Sequence, residues 1–157
     1  MKKIFGLIAL FLSFLFIPAF ADVSDERDIQ DVVAKLNGII SMNPYSLFNK
    51  SELIGYRRDQ FEMSTNHYKA RVTSARDRIL NLSNQMKTIK KDTNINDEDR
   101  ATAMTGSMQE VNGYIAEVDS LTYSYLNEIR WFMPSLTYQR YYKKFQNYYS
   151  YLNVTKK

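Results

Sequence analysis

The sequence predicts an all-α fold. The expected form is a long antiparallel helical hairpin of coiled-coil pattern, with two shorter helices packing at its base as a small helical bundle. Two observations carry that expectation. From Ile54 to Phe132, apolar residues recur in alternating steps of four and three on two successive stretches, which keeps one stripe facing one partner. Between those stretches lies a single short polar segment, Lys90 to Asp97, of the kind an antiparallel helix pair requires.

The first 21 residues stand apart. Met1-Lys2-Lys3 is a basic start, Ile4 to Ile17 is apolar apart from Gly6 and Ser13, and Pro18-Ala19-Phe20-Ala21 ends on small residues. That order is a secretory signal, with cleavage expected after Ala21. A single helical domain, 22–157, would follow. The expected address is the periplasm or the exterior.

Four helices are expected, at about 24–42, 51–91, 97–133 and 135–152. The first has Ser24 and Asp25 as N-caps and Asp25, Glu26 and Asp28 in its first turn, where the helix dipole favours negative charge. Ile29, Val32, Val33, Leu36, Ile39 and Ile40 make its apolar face, and Pro44 stops it. Asn49 with Glu52 resembles a capping box for the second helix. There Ile54, Phe61, Tyr68, Ala75, Leu82 and Ile89 lie seven apart, with Val72, Ile79 and Met86 between them. The third opens after Asn96 with Asp97, Glu98 and Asp99 and stops before Pro134. The fourth carries Leu136, Tyr138, Tyr141, Tyr142, Phe145, Tyr149 and Leu152 at spacings of three and four, and Asn153 to Lys157 should fray.

The two ends of the hairpin differ. Near the turn the flanking positions are polar. At the other end Tyr56, Met63 and Ala70 lie opposite the stripe of the second helix, and Leu121, Leu126, Trp131 and Met133 widen that of the third. A helix apolar on several sides is covered on several sides. The expectation is therefore a four-helix base with a bare two-helix arm projecting from it, its core softened by Met86, Met104 and Met108.

Composition excludes much chemistry. There is no cysteine, so disulfides, thiol catalysis and thiolate metal sites are out. His67 is the only histidine, and metal-binding His/Glu spacings are lacking. Phosphate loops, nucleotide fingerprints and nucleophile elbows are lacking too. No catalytic, cofactor or metal site is expected, and the chain is not expected to be an enzyme. Lys2 and Lys3 are two of the 21 basic residues, against 17 acidic, so the balance without the leader falls from +4 to about +2. That is too slight to imply nucleic acid.

The candidate partner-binding residues fall into three groups. Ile95 is expected to be exposed at the centre of the polar tip. Gly106 and Gly113 sit one heptad apart on the face opposite the stripe, where a second helix could lie closely; a weakened solvent-facing surface is the plainer reading. Arg140, Lys143, Lys144, Tyr148 and Tyr151 mark a basic, tyrosine-rich side of the last helix, a segment without acidic residues. Tyrosine with cations suits protein, glycan or anionic lipid contacts, although a packing helix with a solvated basic side is the plainer reading. The expected function is that of an exported interaction protein: an adaptor, a chaperone-like protein or a subunit of a secretion or envelope complex. It would act by helix docking with a protein partner or a second copy. The alternative is a binder of membrane surfaces or envelope polymers through its C-terminal helix.

Overall fold

A computed structural model describes residues 24–151; the expected signal segment and the C-terminal residues expected to fray lie outside them. The described chain is all-helical and strand-free. Its elements are α1 (Glu26–Ser41), two short 3-10 turns (Pro44–Leu47 and Lys50–Glu52), α2 (Tyr56–Lys91), α3 (Asp97–Arg130) and α4 (Ser135–Tyr151). The four helices pack around one continuous core.

Local sequence explains most boundaries. Asp25 caps α1 by accepting the Asp28 N–H at 2.9 Å, while Ser24 donates back to the Asp28 carboxylate at 3.1 Å. These bonds satisfy donors that the first helical turn leaves free. Asn96 caps α3 in the same way, through the Asp99 N–H at 2.8 Å. One start departs from expectation. Asn49 caps a 3-10 turn rather than α2, and the Glu52 side chain reaches away to α4. Leu53 is buried in an extended conformation and Gly55 takes φ +54, the left-handed region that favours glycine, so α2 begins only at Tyr56.

The partners of α2 and α3 define their relative direction. Ser64 pairs with Glu128, Thr65 with Tyr125, Tyr68 with Thr122, Arg71 with Glu117 and Arg78 with Tyr114. As the number rises on α2 it falls on α3, so the helices run antiparallel. Buried residues of α2 include Phe61, Tyr68, Val72, Ala75, Ile79, Leu82 and Met86, and those of α3 Val111, Ile115, Val118, Thr122, Tyr125 and Ile129. The outermost members of the predicted stripes are not part of this core. Ile54 and Ala101 are exposed, and Ile89 and Phe132 are half-buried.

The expected bare arm is not what the structure shows, because α1 does not pack at the base. Its first turn lies beside the end of α2 nearest the α2–α3 turn, where Glu26 pairs with Lys87 at 3.2 Å. Its C-terminal half meets Arg76, which donates to Asn37 at 2.9 Å, and the Lys69 ammonium donates to the Met42 carbonyl just past its C-terminus. α1 thus covers the distal half, from Lys69 outward. α4 covers the other half: Thr137 is bonded to Glu52, Tyr141 packs on Phe61, and Phe145 on Tyr68 and Tyr125. Helix lengths account for this arrangement. At 1.5 Å per residue, α1 and α4 span roughly 25 Å each, and together they match the roughly 54 Å of α2. Leaving either half of the stripe uncovered would expose a row of large apolar residues to water.

Candidate functional site

The middle of the molecule is built from tyrosine and threonine. Tyr68 and Tyr125 stack at 4.5 Å between ring centres and 7° between planes. Their hydroxyls turn to opposite partners: Tyr68 to Thr122 at 2.8 Å, and Tyr125 to Thr65 at 2.9 Å and Tyr141 at 2.8 Å. Thr122 also bonds the Tyr149 hydroxyl at 3.0 Å. Burial raises the pKa of all four tyrosines, that of Tyr125 to about 12. These hydroxyls bond to one another, so the network serves the core rather than a ligand.

Two surface recesses carry polar groups. A cleft of about 460 Å³ opens where α1 ends, against the first 3-10 turn and α2. In it Tyr45 donates to Glu62 at 2.5 Å, and Lys69 holds the Met42 carbonyl. Burial lowers the Lys69 pKa. A second groove, about 310 Å³, lies at the distal end between Ser24–Glu26 and a floor of Met86, Met104 and Met108. His67 is exposed on the rim of a shallow depression beside the Ser64–Glu128 bond. Among the described residues, no three His, Asp or Glu side chains gather as a metal-binding group. No described helix is long and apolar enough to cross a membrane.

The base end shows a different surface. Trp131 is 89% exposed, Ile54 75%, Tyr56 73% and Leu136 67%. Ile54 and Tyr56 flank Gly55 where α2 starts, and Trp131 and Leu136 flank Pro134 between α3 and α4. The Glu52 carboxylate clasps these segments together. It accepts from Thr137 at 2.6 Å and from Arg140 at 3.0 Å. Four large apolar side chains therefore project from one end of the bundle, and none of them lines the recesses described above. Monomeric proteins rarely gather such residues at one exposed place without a use.

Charge is divided along the same axis. Around the base end and the adjoining flank of α4 stand Lys50, Arg57, Arg58, Arg130, Arg140, Lys143 and Lys144, against Glu52, Asp59, Glu62 and Glu128. Three of those carboxylates are already engaged, Glu52 by Arg140 and Thr137, Glu62 by Tyr45 and Glu128 by Ser64. Around the distal end Asp25, Glu26, Asp28, Asp92, Asp97, Glu98 and Asp99 outnumber Arg27, Lys87, Lys90, Lys91 and Arg100.

The residues singled out from sequence are spread over the molecule. Ile95, expected to be exposed, is half-buried. Its carbonyl accepts from Arg100 at 2.9 Å, and the same guanidinium holds the Asp92 carbonyl at 2.8 Å, so the turn is closed over. Gly106 and Gly113 face open space: a Cβ on either would meet nothing within 4 Å. Arg140 is committed to Glu52, while Lys143 and Lys144 are exposed. The side chains of Tyr148 and Tyr151 lie outside the described ones. Sequence reasoning missed the base end because it placed Trp131, Tyr56 and Met63 under cover; all three are exposed. A signal was present: Arg57, Arg58 and Arg130 flank these residues at helix ends, where no further helix remained to cover them.

No protein-family model, curated protein or solved structure matches the chain.

Proposed function

We propose that this protein is an exported, non-enzymatic interaction protein that presents one end of a helical rod to a partner. The observation that carries this reading is the cluster of Trp131, Ile54, Tyr56 and Leu136 at the base end. A largely exposed tryptophan with aliphatic and tyrosine side chains at the same end is the composition of an interaction hot spot. The rod would be a coiled-coil hairpin of α2 and α3, and the alternating steps of four and three in their buried residues support that reading. Export rests on the order of charge, apolar run and small residues in 1–21.

Trp131 is the only tryptophan and so reports on its own surroundings. Iodide should quench its fluorescence freely in the isolated protein. Adding a fractionated cell envelope should protect it, with a blue-shifted emission. Undiminished quenching with every envelope fraction, and at all protein concentrations, would sink the proposal.

A further inference from the structure

The chemistry of the base end points to a specific partner: we infer that it docks onto the surface of an anionic phospholipid bilayer. This inference rests on the interaction reading above and names the partner. Three observations favour a bilayer over a protein groove. First, the apolar set mixes Trp131 and Tyr56 with Ile54 and Leu136, and all project from the blunt end of the bundle rather than line a cleft. Tryptophan and tyrosine settle where hydrocarbon meets headgroups, because one part of each ring is apolar and another is polar. Second, Arg57, Arg58, Arg130, Lys143 and Lys144 are exposed on the same end or its flank. Cations around an apolar wedge are the arrangement that anionic headgroups attract. Third, the acidic distal end would be repelled by the same surface, so the field of the whole molecule turns the base end toward it.

The helix directions add to this. α2 and α4 both begin at the base end and α3 ends there, so two positive helix-dipole ends face outward against one negative end. α2 carries no side-chain cap there, since its N-cap is Gly55. The docked protein would lie end-on, with Ile54, Tyr56, Trp131 and Leu136 at the depth of the headgroups. The basic flank of α4 then contributes Lys143 and Lys144 without α4 itself lying flat on the membrane.

The test uses the mature chain and Trp131 emission with vesicles of phosphatidylglycerol and phosphatidylcholine. Phosphatidylglycerol vesicles should give a blue shift and co-sedimentation, with partitioning at least about tenfold stronger than to phosphatidylcholine and weakened by salt. Arg57→Gln with Arg58→Gln should reduce partitioning by roughly fivefold per arginine. Ile54→Ser with Leu136→Ser should abolish the blue shift; both side chains are exposed, so circular dichroism should show the fold retained. Equal partitioning to both lipids overturns the inference. So does a blue shift that appears only with a protein fraction of the envelope, or only on raising the protein's own concentration. These last two outcomes leave the interaction reading standing and reassign its partner. An emission unmoved by lipid, envelope protein and self-concentration removes both.

Discussion

Thr122 is the residue through which three helices share one buried polar contact. Its hydroxyl meets Tyr68 of α2 and Tyr149 of α4, and it donates to its own helix at the Val118 carbonyl. Thr122→Val keeps the shape and strands the Tyr68 phenol, while Tyr149 keeps its bond to the Asp119 carboxylate at 3.4 Å. A buried group left unpaired costs about 1 to 3 kcal/mol, and denaturant unfolding should show a loss of that size. A neutral result would mean that the Tyr68 phenol finds another partner. Gly106 and Gly113 should behave oppositely. A Cβ meets nothing at either position, and glycine inside a helix costs about 1 kcal/mol relative to alanine. Gly106→Ala with Gly113→Ala should therefore raise stability by about 1 to 2 kcal/mol, visible as a higher melting temperature. These residues differ in how far they could be read. The sequence places Thr122 and both tyrosines on core stripes by their spacing, but spacing says nothing about which hydroxyl finds which.

Among elements, the connection between α1 and α2 departs furthest from local rules. Asn49 and Glu52 have capping-box spacing, yet Glu52 accepts from Thr137 and Arg140, 85 and 88 residues away. The acceptor was in view in the sequence; its distant donors were not. The two bonds should have unequal weight. Arg140 is largely in water, where an ion pair contributes at most about 1 kcal/mol. Thr137 is buried, and its bond to the carboxylate is part-buried; such a charged hydrogen bond is worth about 1.5 to 3 kcal/mol. Thr137→Val should thus destabilise more than Arg140→Ala in thermal melts, and the reverse order would contradict this account of the clasp. Helix α1 shows the same limit of local information. Its apolar face is plain from Ile29, Val32, Leu36 and Ile39, but a face does not state which half of a longer helix it will cover.

At the scale of the whole molecule, burying so many phenols makes the fold sensitive to alkali. Burial pushes Tyr125 and Tyr138 to about 12, and it raises Tyr68, Tyr141 and Tyr149 as well. In the unfolded chain tyrosines ionise near pH 10. The native state then holds protons that the unfolded state releases, so stability is intact below pH 10 and falls as pH rises from 10 to 12. The slope approaches about 1.4 kcal/mol per pH unit for each tyrosine involved. Ellipticity and phenolate absorbance should therefore change together above pH 10. Ionisation of the buried phenols with the helices intact would refute it. Below pH 10 these groups should leave stability unchanged.

Helical periodicity, capping residues and proline positions were enough to determine that the described residues form four helices, and most of their boundaries, because those signals act within a few residues. The position of α1 on the distal half, the tyrosine–threonine junction and the exposed Trp131 end were decided by tertiary packing. Each depends on which surfaces meet across the fold, and two short helices can cover a longer pair in more than one way that its repeating stripe alone does not distinguish.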